Sequence, residues 1–141
     1  MKTLKEYIGG NEVKTGSPDS AEATSLMEQA LARLNDLLAL PLGENNASFR
    51  FESAYECVRE ALQSFMAKEG LKPYSHEAIF AYAKERELIG EGEMINLDRY
   101  RDKRNDINYR GEKINVEEAR EIISFAKFMV SRLRKELEFR T

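Results

Sequence analysis

The sequence predicts an all-α protein, an antiparallel bundle of about five helices. Apolar residues recur at intervals of three and four through most of the chain, which is the spacing of an amphipathic helix. No segment shows the alternation of a half-buried strand, and the breaks between helical segments are short and rich in Gly, Pro and Asn. With 141 residues, 42% of them hydrophobic, the chain fits one domain at residues 19–141, preceded by an N-terminal arm at residues 1–18.

The first two helices are predicted at Asp19 to Leu40 and at Ser48 to Glu69. The start of the first is indicated by Ser17-Pro18-Asp19, because proline and aspartate favour the first turn and the N-cap. Its end is indicated by Pro41 and Gly43, which open a loop. Both helices carry an apolar stripe that predicts burial of one face.

The third helix is predicted from Ser75, its N-cap, to about Leu88. Gly70 is suited to the left-handed position that ends the second helix, with Leu71 folding back as its hydrophobic partner. The connector Lys72-Pro73-Tyr74 then leads into the third helix, and Gly90-Glu91-Gly92 ends it.

The fourth helix is predicted at Asn96 to Asn108 and the fifth at Asn115 to Leu137. Asn115 and Glu118 fit a capping box at the start of the fifth helix, which carries a long apolar stripe. The fourth helix is unusual, since most of its residues are Arg, Asp, Lys and Asn.

The amino-acid composition argues against several classes of function. The net charge of −3 argues against nucleic-acid binding by overall charge, although it leaves room for a local basic patch. The single cysteine, Cys57, lies in an apolar stripe and predicts a buried thiol in a reducing, cytoplasmic setting. One Cys and one His predict no metal site of the usual kind and no cofactor, and no apolar run is long enough for a membrane span.

The fourth helix holds the candidate functional site. Between Arg99 and Lys113, six basic residues face three acidic ones, a local balance of +3 in an acidic chain. Helical spacing places Arg101, Asn105 and Asn108 or Tyr109 on one face, with Arg104 on the adjacent stripe. An arginine fork, an amide and a phenol together suit the recognition of a phosphate and a base. The alternative is a solvated helix with ordinary ion pairs along its surface.

Two stretches resemble the HEPN domain family. The segment Ala54 to Leu62, followed by Lys68 to Leu71 and by Tyr74 to Ala78, is similar to the family's central helix pair with its Gly turn and Ser-His start. The segment Arg104 to Tyr109 resembles the family's Arg-Asn-x-x-x-His motif. The similarity covers about residues 19–137.

The resemblance implies a helical bundle that pairs as a homodimer. Many HEPN domains are metal-independent ribonucleases of toxin–antitoxin, CRISPR or RNA-processing systems, and others bind a minimal nucleotidyltransferase. In the nucleases the motif Arg and His act on the scissile phosphate and the 2′-hydroxyl, and Asn orients them. Carried over, these roles fall on Arg104, Asn105 and, in the His position, Tyr109.

Tyr109 departs from the motif, and this decides the functional prediction. Tyrosine titrates near pH ~10 and histidine near ~6.5, so tyrosine is a poor general base at neutral pH. We therefore expect a module that binds a nucleotide, RNA or a nucleotidyltransferase through Arg101, Arg104, Asn105, Asn108 and Tyr109. The alternatives are an active ribonuclease that uses Arg104, Asn105 and Tyr109, and a purely structural dimer. The only histidine, His76, is predicted to join the third helix to a neighbour rather than to act as a base.

Overall fold

The computed structural model describes residues 2–140 and is an all-α bundle with one small two-stranded sheet. Helices and strands follow one another along the chain as α1 (Leu4–Gly9), β1 (Val13–Thr15), α2 (Ser20–Ala39), α3 (Ala47–Lys68), β2 (Leu71–Pro73), α4 (His76–Glu85), α5 (Glu91–Arg110) and α6 (Val116–Phe139). No helix in this part of the chain is both long and apolar enough to cross a membrane.

Three helix starts follow the predicted capping residues. Asp19 caps α2 and accepts a hydrogen bond from the Glu22 amide, and Ser75 caps α4 in the same way. Asn115 caps α6 by accepting from the Glu118 amide at 2.8 Å. The Glu118 carboxylate does not complete the predicted capping box, because it pairs with Lys103 of α5 instead.

Helix α3 forms the centre of the bundle and packs against α2, α4, α5 and α6. Its buried face includes Phe51, Tyr55 and Leu62, all at most 1% exposed. Cys57 is fully buried there as predicted, and burial raises the pKa of its thiol to about 12. The thiol is therefore protonated at neutral pH and fills space in the core.

The N-terminal segment packs on the bundle, and the expectation of no strands was wrong. Strand β1 pairs antiparallel with β2, so that Val13 lies opposite Pro73 and Thr15 opposite Leu71. Helix α1 buries Leu4 and Tyr7, and the Leu4 amide donates to the Glu85 carboxylate at 2.6 Å. Three-residue strands are too short to show alternation, which explains why the sequence pattern missed them.

The boundary between the third and fourth predicted helices also differs. Helix α4 ends at Glu85, and α5 begins at Glu91 rather than after Asn96. The Gly90 amide donates to the Glu93 carboxylate at 3.0 Å, which closes the start of α5 before the predicted Asn cap. Arg132 of α6 holds the same carboxylate at 2.6 Å, so a tertiary contact supports this early start.

Three buried side chains anchor α5, namely Met94, Leu97 and Tyr100. The Tyr100 ring lies edge-on to Phe51 of α3 at 5.8 Å and to Phe125 of α6 at 5.3 Å between ring centres. The half of α5 that follows Tyr100 contains no fully buried residue, and it carries the candidate site.

Candidate functional site

The basic residues of α5 are largely committed to ion pairs. Arg99 reaches Glu121 of α6 at 3.1 Å, and Lys103 pairs with Glu118 of the same helix. Arg110 lies 3.8 Å from Asp106, one turn earlier in α5. Most of the local positive charge is therefore balanced within the fold, as in the predicted solvated helix.

Arg104 is the exception. Within residues 2–140, it is the one basic residue of α5 that forms no ion pair. Its guanidinium carbon lies 5.7 Å from the centre of the Tyr55 ring, a cation–π contact with α3. The contact orients the guanidinium while leaving its hydrogen-bond donors without a carboxylate.

Tyr55 also binds the only histidine of the chain. Its hydroxyl lies 2.8 Å from Nδ1 of His76, and the two ring centres are 5.6 Å apart. His76 lies in the first turn of α4, so the hydrogen bond joins α4 to α3, in agreement with the bridging role predicted for it. Burial raises the pKa of Tyr55, and its hydroxyl therefore stays protonated.

A second arginine lies one turn further along α3. Arg59 donates to the Glu56 carboxylate at 2.7 Å and to the Gln63 side chain at 2.6 Å. Burial alone would raise the pKa of Glu56, but the hydrogen bond and charge of Arg59 outweigh it and lower that pKa. The Glu56 carboxylate is therefore ionised beside Tyr55, and its negative charge offsets part of the positive charge of Arg59 and Arg104.

Arg101 turns towards α4, one turn before Arg104. Its Nη1 lies 3.0 Å from the Glu77 carboxylate, and its Nη2 lies 3.8 Å from Asp102. Its Nε is buried and has no hydrogen-bond partner. The charges of Arg101 and Arg104 both lower the pKa of His76, and of the two arginines Arg101 is held by Glu77.

Two of the three remaining predicted binding residues, Asn108 and Tyr109, are exposed to solvent at the end of α5. Asn105 is half-buried, whereas Asn108 is exposed. Tyr109 is 82% exposed, the second most exposed large hydrophobic side chain in the described region. Five residues along a helix place Arg104 and Tyr109 about 140° apart, so the structure does not bring them together on one face.

Comparisons with protein-family models, with curated proteins and with solved structures find no match for this chain. The HEPN-like identity and the roles carried over from it therefore stay predictions. The site has to be interpreted from its own geometry.

That geometry suits an anion better than a metal ion. Among residues 2–140 no group of three His, Cys, Asp or Glu side chains is placed to hold a metal. The site instead combines the unpaired guanidinium of Arg104, the imidazole of His76 and the neutral phenol of Tyr55. Guanidinium groups bind phosphate through two parallel hydrogen bonds, so a phosphate is the ligand that this set favours.

Sequence reasoning missed the partners that α3 contributes. The apolar spacing of the second helix predicts a core position for Tyr55, and no sequence pattern selects Glu56 or Arg59. The available signal was the polar pair at positions 56 and 59 beside a tyrosine. Which helix faces Arg104 depends on the packing of the bundle, and no local pattern records it.

We expect His76 to make the fold less stable in mild acid. Its pKa is lowered, first because burial disfavours the imidazolium and then because Arg59, Arg104 and Arg101 repel it more than Glu56 attracts it. The unfolded chain therefore binds the proton more readily than the folded one. Stability is complete above the ordinary pKa of 6.5 and falls as the pH drops through it towards the folded value.

Urea unfolding of the native protein and of His76→Gln between about pH 8 and pH 5 checks this expectation. The free energy of unfolding should fall more steeply with acid in the native protein. Because the chain has one histidine, its imidazole NMR signal gives the folded pKa directly. A folded pKa at or above 6.5 would contradict the assignment.

Proposed function

We propose that the protein is a binding module for the phosphate groups of a nucleotide or of single-stranded RNA, with Arg104 as the principal contact. The observation that carries this proposal is the state of Arg104. In a helix whose other basic residues are ion-paired, it is oriented by Tyr55 and keeps its donors free. An oriented and unpaired guanidinium is suited to bidentate binding of a phosphate.

The surroundings support the same proposal. Asn105 and Asn108 offer amide donors and acceptors close to Arg104 on α5. Tyr109 presents an exposed ring at the end of the helix, and exposed aromatic rings stack on unpaired bases. This combination favours a single-stranded nucleic acid over a duplex, whose bases are already stacked.

The homodimer and the nucleotidyltransferase partner are further parts of the proposal. What supports them is the resemblance to the HEPN family, whose members pair as homodimers or bind a nucleotidyltransferase, and Phe49 offers a 75% exposed aromatic side chain for such a contact. We also propose a cytoplasmic location, because the protein has a single thiol and that thiol is reduced and buried.

Arg104→Gln is expected to weaken binding of a fluorescent single-stranded RNA by about tenfold or more, because a charge-assisted contact is worth about 1.5–3 kcal/mol. The salt dependence of binding should also decrease by about one phosphate contact. Arg134→Gln is the matched control, since it removes the same charge from the exposed face of α6. Fluorescence anisotropy at several salt concentrations measures both quantities.

Equal losses in Arg104→Gln and Arg134→Gln would mean that binding follows net charge alone, and this would refute a site at Arg104. Thermal unfolding of each variant separates lost binding from lost folding.

Metal-independent RNA cleavage is the second candidate function. The observation that favours it is His76, an imidazole with a lowered pKa close to Arg104. A neutral imidazole can accept the proton of an attacking 2′-hydroxyl, which Tyr109 is poorly suited to do. In this second candidate His76, rather than the motif position, acts as the base.

The test is incubation of RNA with highly purified protein in EDTA, beside His76→Ala, Arg104→Ala and Tyr109→His. This second function predicts products that end in 2′,3′-cyclic phosphate from the native protein and none from His76→Ala. Cleavage that needs added metal would count against this function. Cleavage that appears only in Tyr109→His would indicate a binding site that lacks its base.

A further inference from the structure

A carboxylate lies at the edge of the Arg104 site, and one of its two oxygens is free. Glu56 of α3 directly follows Tyr55, whose ring lies against the guanidinium of Arg104. Arg59 donates to Oε2 of Glu56 from Nε at 3.0 Å and from Nη2 at 2.7 Å. Within residues 2–140, Oε1 of Glu56 has no hydrogen-bond partner. A free acceptor is therefore present beside the free donors of Arg104.

A ligand can reach both of these groups. The Glu56 side chain is 22% exposed. In the part of the chain that the structure describes, the buried side-chain nitrogens and oxygens without a partner are Nε of Arg50 and Nε of Arg101. Oε1 of Glu56 and the nitrogens of Arg104 also lack partners but are not among these buried atoms, so they are exposed to solvent.

The fold holds the Glu56 carboxylate on the side of α3 that carries Tyr55. Tyr55 and Arg59 are one turn apart and lie on the same face of the helix, and Arg59 holds the carboxylate there. Burial alone would raise the pKa of Glu56. The hydrogen bond and charge of Arg59, followed by the charges of His76 and Arg104, lower it overall. The carboxylate is therefore ionised and feels the charges of residues on two other helices.

A phosphate with a hydroxyl beside it matches this pair of groups. In an RNA chain the 2′-hydroxyl and the 3′-phosphate belong to the same ribose, so a donor always lies next to the anion. A 2′-hydroxyl that donates to Oε1 of Glu56 would form a charge-assisted hydrogen bond. A DNA backbone offers only acceptor oxygens at this place, and these repel a carboxylate.

We propose that Glu56 selects ribose over deoxyribose at the Arg104 site, so that the ligand is RNA. The inference rests on the proposed phosphate-binding function. The guanidinium of Arg104 binds the 3′-phosphate of a nucleotide, and Oε1 of Glu56 accepts a hydrogen bond from the 2′-hydroxyl of the same ribose. Arg59 binds Oε2 and so keeps the carboxylate in place.

Binding of a short fluorescent oligouridine by the full chain tests the proposal, beside the same sequence with 2′-fluoro riboses. Fluorine removes the hydroxyl donor and leaves the phosphates and bases unchanged. We expect the RNA to bind about tenfold more tightly than the fluoro oligomer, the value of one hydrogen bond to a charged group. A denaturing gel checks that the RNA stays intact during the anisotropy measurement.

Glu56→Ala should lower the RNA-to-fluoro affinity ratio to about one. The ratio is the informative quantity, because loss of a negative charge strengthens binding of both oligomers. If Glu56 served only to pair with Arg59, the ratio would not change. Glu52→Ala is the matched control, since Glu52 is half-buried one turn earlier on α3 and has no ion pair among the described residues. It should keep the native ratio.

A ratio near one in the native protein, or a preference that survives Glu56→Ala, would overturn ribose selection by Glu56. Equal binding of both oligomers that is lost in Arg104→Gln would overturn this selection alone and retain the phosphate site. No binding of either oligomer by the native protein would refute both proposals.

Discussion

Replacement of Gly70 by alanine is expected to destabilise the protein by about 2–5 kcal/mol. Gly70 ends α3 with a φ of +78°, where an L side chain costs about 1–2 kcal/mol. A Cβ atom there would also lie 2.3 Å from the Gly16 carbonyl oxygen and 2.8 Å from the Pro18 nitrogen. Relief of such an overlap costs about 1–3 kcal/mol more, since the colliding atoms belong to the backbone.

The backbone near Gly70 has little freedom to move away. The Gly16 amide donates to the Gly70 carbonyl at 2.7 Å, and the Asp19 amide donates to Ala67 at 3.0 Å. These two hydrogen bonds hold the segment between β1 and the start of α2 against the C-terminal end of α3. The strain of an added methyl group therefore falls on the pairing of β1 with β2 and on α2 and α3, which lie between these strands in the chain.

Gly111→Ala provides the matched comparison. Gly111 has a φ of +66°, but a Cβ atom there would meet nothing within 4 Å. It should cost about 1–2 kcal/mol, the conformational penalty alone. Urea unfolding of both variants measures the difference, and equal losses would show that the crossing at Gly16 does not constrain Gly70.

Gly70 also shows how far the sequence can predict this fold. Its left-handed conformation was predicted, because the end of an apolar stripe followed by glycine is a local signal. The same kind of signal located the longer helices. The close approach of residues 16–18 has no local signal, since it depends on the pairing of β1 with β2 across most of α2 and α3.

The candidate site divides in the same way. Arg104 was selected because it lies in a locally basic helix and because residues 104–109 resemble the Arg-Asn-x-x-x-His motif, and both signals are visible in one helix. Its contact with Tyr55 on α3, and the bond from Tyr55 to His76 on α4, combine three helices. Helical periodicity predicts which face of each helix is buried, but it does not predict which faces meet. The neighbours of Arg104 therefore had to come from the structure.

Tyr100→Ala is expected to cost about 3–5 kcal/mol, the usual loss for removal of a fully buried aromatic side chain. Tyr100 is 2% exposed and makes edge-on contacts with Phe51 and Phe125. It is also the last buried residue of α5, one turn before Arg104. Its loss should release the C-terminal half of α5 before the rest of the bundle unfolds.

A second substitution at the same position separates the loss of ring packing from the loss of the hydroxyl. Tyr100→Phe keeps both ring contacts and removes only the hydroxyl, whose pKa is raised to about 12 by burial and by Glu121. We expect it to lose no more than about 1.5 kcal/mol, the value of one hydrogen bond. Amide hydrogen exchange should show faster exchange after residue 100 in Tyr100→Ala, with α2 and α3 still protected.

RNA binding by the same two variants then tests the link between fold and function. If Arg104 acts only when α5 is held against α3, Tyr100→Ala should bind weakly at temperatures where the bundle is still folded, and Tyr100→Phe should bind normally. Normal binding by Tyr100→Ala, with fast exchange after residue 100, would show that the guanidinium needs no orientation by Tyr55. In that case binding would rest on charge, and the ordered contact between α5 and α3 would serve stability alone.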